Sequence, residues 1–147
     1  MAIIRLTKQF DFEAGHALEG YEGKCRDIHG HSYHLDVTVA GNVNHLSGKL
    51  EDSMVIDFKD LKSIVKTEII DRFDHQLILH KESRFISLKD DNPRMMIVDY
   101  VPTCENILLD IVTRLNKCIP DNITLEYVFL RETPRSYAEW HREDNMV

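Results

Sequence analysis

Long apolar runs are missing from this 147-residue chain. The longest unbroken stretches are short pieces such as Met95 to Val98, far below the roughly 18 residues a membrane-spanning helix needs, so no membrane partner is expected and the reading is a soluble protein. Basic residues are in deficit. Lys and Arg total 18 against 25 Asp and Glu, a formal charge of -7, which repels a phosphate backbone and argues against nucleic acid as a partner. Cysteine is scarce and odd in number: Cys25, Cys104 and Cys118 do not make a disulfide framework. No basic segment runs into an apolar stretch after Met1, so the sequence is expected to lack a secretory signal and to reside in the cytoplasm. Internal repeats and low-complexity tracts are also absent. What remains, 43% hydrophobic and 29% charged residues, is the balance of one globular domain spanning residues 1–147.

Hydrophobic periodicity then places the elements. Ile4, Leu6, Phe10 and Phe12 alternate with polar residues, which predicts a strand over about 3–13. A stretch holding Gly15, Gly20 and Gly23 follows, and Tyr33, Leu35, Val37 and Val39 alternate up to Gly41 as a second, antiparallel strand. Asp57 is a candidate N-cap for a helix to about Arg72, with Phe58, Leu61, Ile64, Val65 and Ile69 on one face. A second helix is expected from Pro102–Thr103 to Lys117, stopped by Pro120. Between the helices, Asp90-Asp91-Asn92-Pro93 is turn-prone and suggests a hairpin or an irregular excursion. Ile123 to Phe129 and Ser136 to Arg142 complete the pattern as two strands around Pro134-Arg135. Grouped strands and grouped helices, in the order ββααββ, predict an α+β domain: a four-stranded antiparallel sheet with both helices on one face. The other face, carrying His34, Asp36 and Thr38, is left to water or to another subunit.

Of the eight histidines, His29 and His31 are two apart in an extended segment, so both imidazoles lie on one side. Such a pair can share a metal, or the two are surface histidines around a turn relieved by Gly30. A hairpin between the first two strands brings His16 back beside them as the third ligand of an open zinc site. Cys25, flanked by Lys24 and Arg26, is a thiol activated by that positive setting, a fourth ligand that closes the site and makes it structural, or an inert loop thiol. Asp74-His75 is a candidate proton-transfer pair at the end of the first helix, although a histidine there also complements the helix dipole. Glu132 ends a strand and is read as a functional carboxylate or a solvated one. Glu105 suits the first turn of the second helix, and Cys104 and Cys118 read as packing residues.

Taken in order, Phe12-Glu13-Ala14-Gly15-His16, Cys25-Arg26-Asp27-Ile28-His29-Gly30-His31, Asp74-His75, Pro102-Thr103-Cys104-Glu105-Asn106 and Glu132-Thr133 resemble the 6-pyruvoyl-tetrahydropterin synthase family over nearly the whole chain. Within it, the spacing between Cys25 and His29 is similar to the bacterial 6-carboxy-tetrahydropterin synthase branch of queuosine biosynthesis. The resemblance implies a tunnelling fold, in which sheets from three subunits close a barrel and two trimers stack into a homohexamer. It implies that His16, His29 and His31 bind Zn2+, that Cys25 accepts a proton, that His75 with Asp74 forms a proton relay, and that Glu132 anchors a pterin ring, with Glu105 and Thr103 beside it. The implied reaction converts 7,8-dihydroneopterin triphosphate to 6-carboxy-5,6,7,8-tetrahydropterin, releasing acetaldehyde and triphosphate. Lys24 and Arg26 are candidates to attract the triphosphate locally against the global charge. The sequence departs from the family pattern in its long 80–101 link, in Cys104 where Ser or Thr is commoner, and in its C-terminal stretch with Trp140 and His141.

Overall fold

A computed structural model describes residues 1–146 of the chain. Strand β1 (Ala2–His16) pairs antiparallel with β2 (His29–Val43) along its whole length, from Ala2 opposite Val43 to His16 opposite His29. Alternation decides which face is buried: Phe12 and Ala14 of β1 and Tyr33, Leu35, Val37 and Val39 of β2 all enter the core. Both strands overrun the predicted ends, because Gly15 and Gly30 interrupt the apolar pattern without interrupting the ladder; the two glycines sit opposite each other.

The sheet has six strands rather than four, in the order β4 (Met95–Val98), β3 (Gln76–His80), β1, β2, β5 (Thr124–Thr133), β6 (Ser136–His141), and it is mixed rather than antiparallel. Strand β5 pairs with β2 and with β6 as the sequence pattern suggests. On the other side, β3 runs parallel to the end of β1, and β4 runs parallel to β3. Of the two expectations at 90–93, a hairpin or an irregular excursion, the structure has the excursion: a crossover between parallel strands containing a short 3-10 turn, Ile86–Asp90. Strand β3 went unexpected because it is buried on both faces: Ile78 and Leu79 are both fully buried, so this strand shows an apolar run and no alternation to read.

The first helix continues to Phe73 in three parts: α1 (Phe58–Val65), a π turn (Lys66–Ile70) and α2 (Asp71–Phe73). Its buried residues, Leu61, Val65, Ile69 and Phe73, recur every four positions. On an ideal helix at 3.6 residues per turn they would drift by roughly 40° at each step, or about 120° in all. The wider π turn takes up that drift and keeps the stripe on the sheet. The second helix, α3 (Cys104–Cys118), is capped by Thr103, whose hydroxyl accepts from Asn106 N–H at 3.2 Å. Both helices bury their stripes against the same sheet face, in one core.

Gly41 marks where the sheet meets the segment before α1. A Cβ there would stand 2.8 Å from Val55 Cγ1 and 3.2 Å from Ile123 Cγ2. Gly41→Ala is therefore expected to destabilise the protein by about 1–3 kcal/mol through overpacking, read as a lower urea midpoint at unchanged slope; a midpoint equal to the parent's would show that Val55 yields freely.

The opposite sheet face is polar and laced across strands. Arg5 pairs with Glu126 at 3.2 Å, Thr7 with Thr38 at 2.7 Å, and His34 lies between Asp11 at 2.7 Å and Asp36 at 2.8 Å. Among the described residues, no helix is long and apolar enough to cross a membrane.

Candidate active site

The β1–β2 ladder fixes three imidazoles at its closed end. His16 faces His29 across the ladder, and His31 faces Ala14 one step further in. The ring nitrogens of His16, His29 and His31 all lie within 4.8 Å of one another, and among the described residues they form the one group of three or more such donors at that spacing. Cys25 Sγ is outside this group.

Backbone carbonyls orient two of the rings. His16 Nδ1 lies 2.7 Å from the Pro102 carbonyl, and His29 Nδ1 lies 2.8 Å from the Asp27 carbonyl. A carbonyl only accepts, so this network assigns the proton to Nδ1 in both rings. In the neutral rings both Nε2 lone pairs then point at each other, 3.0 Å apart. The third nitrogen, His31 Nε2, is buried without a hydrogen-bond partner. Two opposed lone pairs and one orphaned nitrogen are what a cation among them would satisfy, and imidazole nitrogens suit zinc and its neighbours in the transition series. Burial, the largest cause, lowers the pKa of His16 and His31; nearby imidazoles add to it and the Glu132 carboxylate opposes it, as does the Pro102 carbonyl at His16. Both rings are thus held neutral, the form that binds a metal.

Glu132, near the end of β5, comes within 3.5 Å of His31 Nε2. It lines a cleft of about 360 Å³ together with Thr103, Cys104 and Glu105 from the start of α3, so the sequence's three candidate pterin contacts share one hollow. Burial, Glu132 and Glu105, in that order, push the Cys104 thiol up to about 12. Cys104 is consequently an un-ionised thiol.

Asp74 and His75 approach from elsewhere. His75 lines a larger cleft of about 590 Å³ with His29, His31, Gln76 and Arg94. The pair docks on Glu13 of β1: Asp74 Oδ1 accepts Glu13 N–H at 2.9 Å, and His75 N–H donates to the Glu13 carbonyl at 2.6 Å. Asp74 Oδ2 lies 2.9 Å from His75 Nδ1. Against the burial that raises it, the Glu13 N–H and then His75 hold the Asp74 carboxyl below its usual range. Among the described residues, His75 is the one non-glycine residue with a left-handed backbone, at φ 61, a conformation costing about 1–3 kcal/mol that the double docking on Glu13 enforces.

Lys24, Cys25 and Arg26 form a 3-10 turn in the β1–β2 connection, and none of the three lines either cleft. Three contributors were not among the site residues expected from the sequence: the Tyr33 side chain and the Pro102 and Asp27 carbonyls. Tyr33 is fully buried beside the trio, its ring 5.7 Å from that of His31 and its hydroxyl without a partner; burial, followed by Glu132, drives its pKa upward. Its position two residues beyond His31 was the available signal. The carbonyls of Pro102 and Asp27 carry no sequence signal, since any residue supplies one.

A sequence model described as 6-pyruvoyl tetrahydropterin synthase matches residues 5–143. The chain belongs to this family. A relative from Haemophilus influenzae, named 6-carboxy-5,6,7,8-tetrahydropterin synthase, is 36% identical over 143 residues, covering 94% of this chain and 99% of its own. One of the same name from Rickettsia typhi is 34% identical over 142 residues, with 93% and 99% covered. Among solved structures, 6-pyruvoyl tetrahydropterin synthase from Caenorhabditis elegans matches with a TM-score of 0.69 at 25% identity, covering 96% of each chain. An uncharacterized protein from Wolinella succinogenes shares the fold with a TM-score of 0.77 at 22% identity, over 97% of this chain and 99% of the other.

Proposed function

We propose that this family member is a zinc-dependent 6-carboxy-5,6,7,8-tetrahydropterin synthase of queuosine-type 7-deazapurine biosynthesis. It would take 7,8-dihydroneopterin triphosphate and water to 6-carboxy-5,6,7,8-tetrahydropterin, acetaldehyde and triphosphate. The observation that carries this reading is the convergence of three imidazoles beside a carboxylate-lined cleft, in a chain whose relatives bear that name.

In this reading His16, His29 and His31 hold the zinc. When bound, zinc supplies Lewis acidity that makes the C–H next to a side-chain oxygen of the substrate more acidic. The chain's own residues do the rest. Glu132 accepts the paired N–H donors on the edge of the pterin ring and so sets its orientation, while Thr103 and Glu105 border the same hollow. Cys25 takes the proton from the substrate side chain as thiolate, and His75, oriented by Asp74, moves protons to and from the departing fragment. Lys24, which lines neither cleft, attracts the triphosphate at longer range through its charge. One domain over the whole chain would assemble in the cytoplasm as a homohexamer, a dimer of trimers on the tunnelling fold, whose closed barrel covers the open edges at β4 and β6.

The test is product analysis. The zinc-loaded protein is incubated with 7,8-dihydroneopterin triphosphate, and acetaldehyde is quantified beside the pterin product by mass. Acetaldehyde in step with a 6-carboxy product is expected. Triphosphate release with a 6-pyruvoyl product and no acetaldehyde would move the chain to the activity named for the Caenorhabditis elegans relative. Zinc binding without turnover would favour a non-catalytic zinc module.

A further inference from the structure

The long link between β3 and β4 grips the loop that carries Cys25. Four hydrogen bonds join the two segments. Ser83, itself buried, donates through Oγ to Glu19 Oε1 at 2.8 Å, and Arg84 N–H donates to the same oxygen at 3.3 Å. From the other direction, Arg84 Nη2 donates to the Arg26 carbonyl at 3.2 Å and to Asp27 Oδ1 at 2.6 Å. The guanidinium is held in that pose by the Phe85 ring, 4.4 Å below it. Ser83 is fixed in turn, because its hydroxyl accepts Phe85 N–H at 3.2 Å and its own N–H donates to the His80 carbonyl at 2.9 Å, tying the grip to the end of β3.

The gripped loop needs such an anchor. It contains Gly20 and Gly23 at φ 79 and 145, and glycine backbones are the freest to wander. Within itself the loop is pinned at Cys25 by one bond, Leu18 N–H to the Cys25 carbonyl at 2.9 Å. Its payload is the Cys25 thiol and the Asp27 carbonyl that orients His29.

We propose that Arg84, with Glu19 and Ser83, forms a clasp that positions the Cys25 thiol, making Arg84 a positioning residue of the 80–101 link. The proposal rests on the reading of Cys25 as the base. Arg84 and Asp27 are partly exposed, so their ion pair adds little to global stability; what the clasp supplies is location, and a base displaced by an ångström or so loses rate out of proportion.

The experiment measures alkylation of Cys25 by iodoacetamide, resolved from Cys104 and Cys118 by peptide mass, in Arg84→Ala, Arg84→Lys and Glu19→Ala, together with metal content and turnover. The expected result is a change in the Cys25 alkylation rate of about fivefold or more in Arg84→Ala and Glu19→Ala, at unchanged metal content. Turnover should fall about tenfold or more with KM within about twofold. Arg84→Lys should recover only part, because an ammonium cannot reproduce the planar fork. Parental alkylation rates in folded variants would overturn the clasp, and so would loss of fold in both alanine variants, since the link would then be supporting the core. The alkylation arm reads the clasp even if the parent turns over no pterin, so failure of the functional reading stays distinguishable.

Discussion

His29→Ala is expected to empty the metal site and abolish turnover while leaving the fold intact. The substitution removes one of three imidazoles, and the two that remain cannot hold a divalent ion at the affinity of a three-ligand site. The ladder bonds at His29 are made by backbone, and its side chain contributes to the trio rather than to the hydrophobic cluster. Far-ultraviolet circular dichroism should match the parent's. Zinc per chain, measured by plasma emission after gel filtration, should fall from about one to below about one tenth, and kcat/KM by about 10³ or more. The apoprotein should also lose whatever stability excess zinc confers on the parent by mass action. A His29→Ala protein that retains stoichiometric zinc would refute the assignment of these three ligands.

Cys25→Ala should separate the base from the metal. With Sγ outside the donor group, zinc content and melting temperature are expected to equal the parent's, while kcat falls about 10²–10⁴-fold, the range for loss of a general base. KM should stay within about threefold, because in the proposed mechanism the thiol acts on a proton and not on binding. The competing reading, a Cys-plus-three-His structural site, predicts the reverse: zinc lost and the protein destabilised. Measuring zinc and kcat on one preparation decides between them.

The two variants also show what could be read from residues alone. Strand alternation and the two-residue spacing of His29 and His31 were sufficient to bring His16 beside them, because a side-chain period of two leaves no other face available. The core stripes of both helices, at a period of about 3.6, and the terminal β-hairpin, at a period of two, were legible from their own periodicities. Strand β3 was not, since a strand buried on both faces loses its alternation, and the four residues of β4 are too few to show a period. The π turn escaped because a stripe repeating every four residues still passes for an ordinary helix over a few turns. At the site, Glu132, Thr103 and Glu105 share a hollow that no local pattern connects, and Lys24 lies away from both clefts despite its suggestive place beside Cys25. Tertiary placement, unlike spacing, is not a property of neighbouring letters.

The unbroken β1–β2 ladder has a consequence for how the chain tolerates insertions and deletions. Its register sets the spacing of the three imidazoles, and a slip of one residue would turn His29 and His31 outward together with Tyr33, Leu35, Val37 and Val39. Folding and ligand geometry are therefore selected as one property. The connection between His16 and His29 is outside that constraint and can change length without moving either end. What does move is the thiol it carries and the Asp27 carbonyl that orients the His29 ring, so a change of length there would retune the proposed base and, through that carbonyl, one of the three imidazoles.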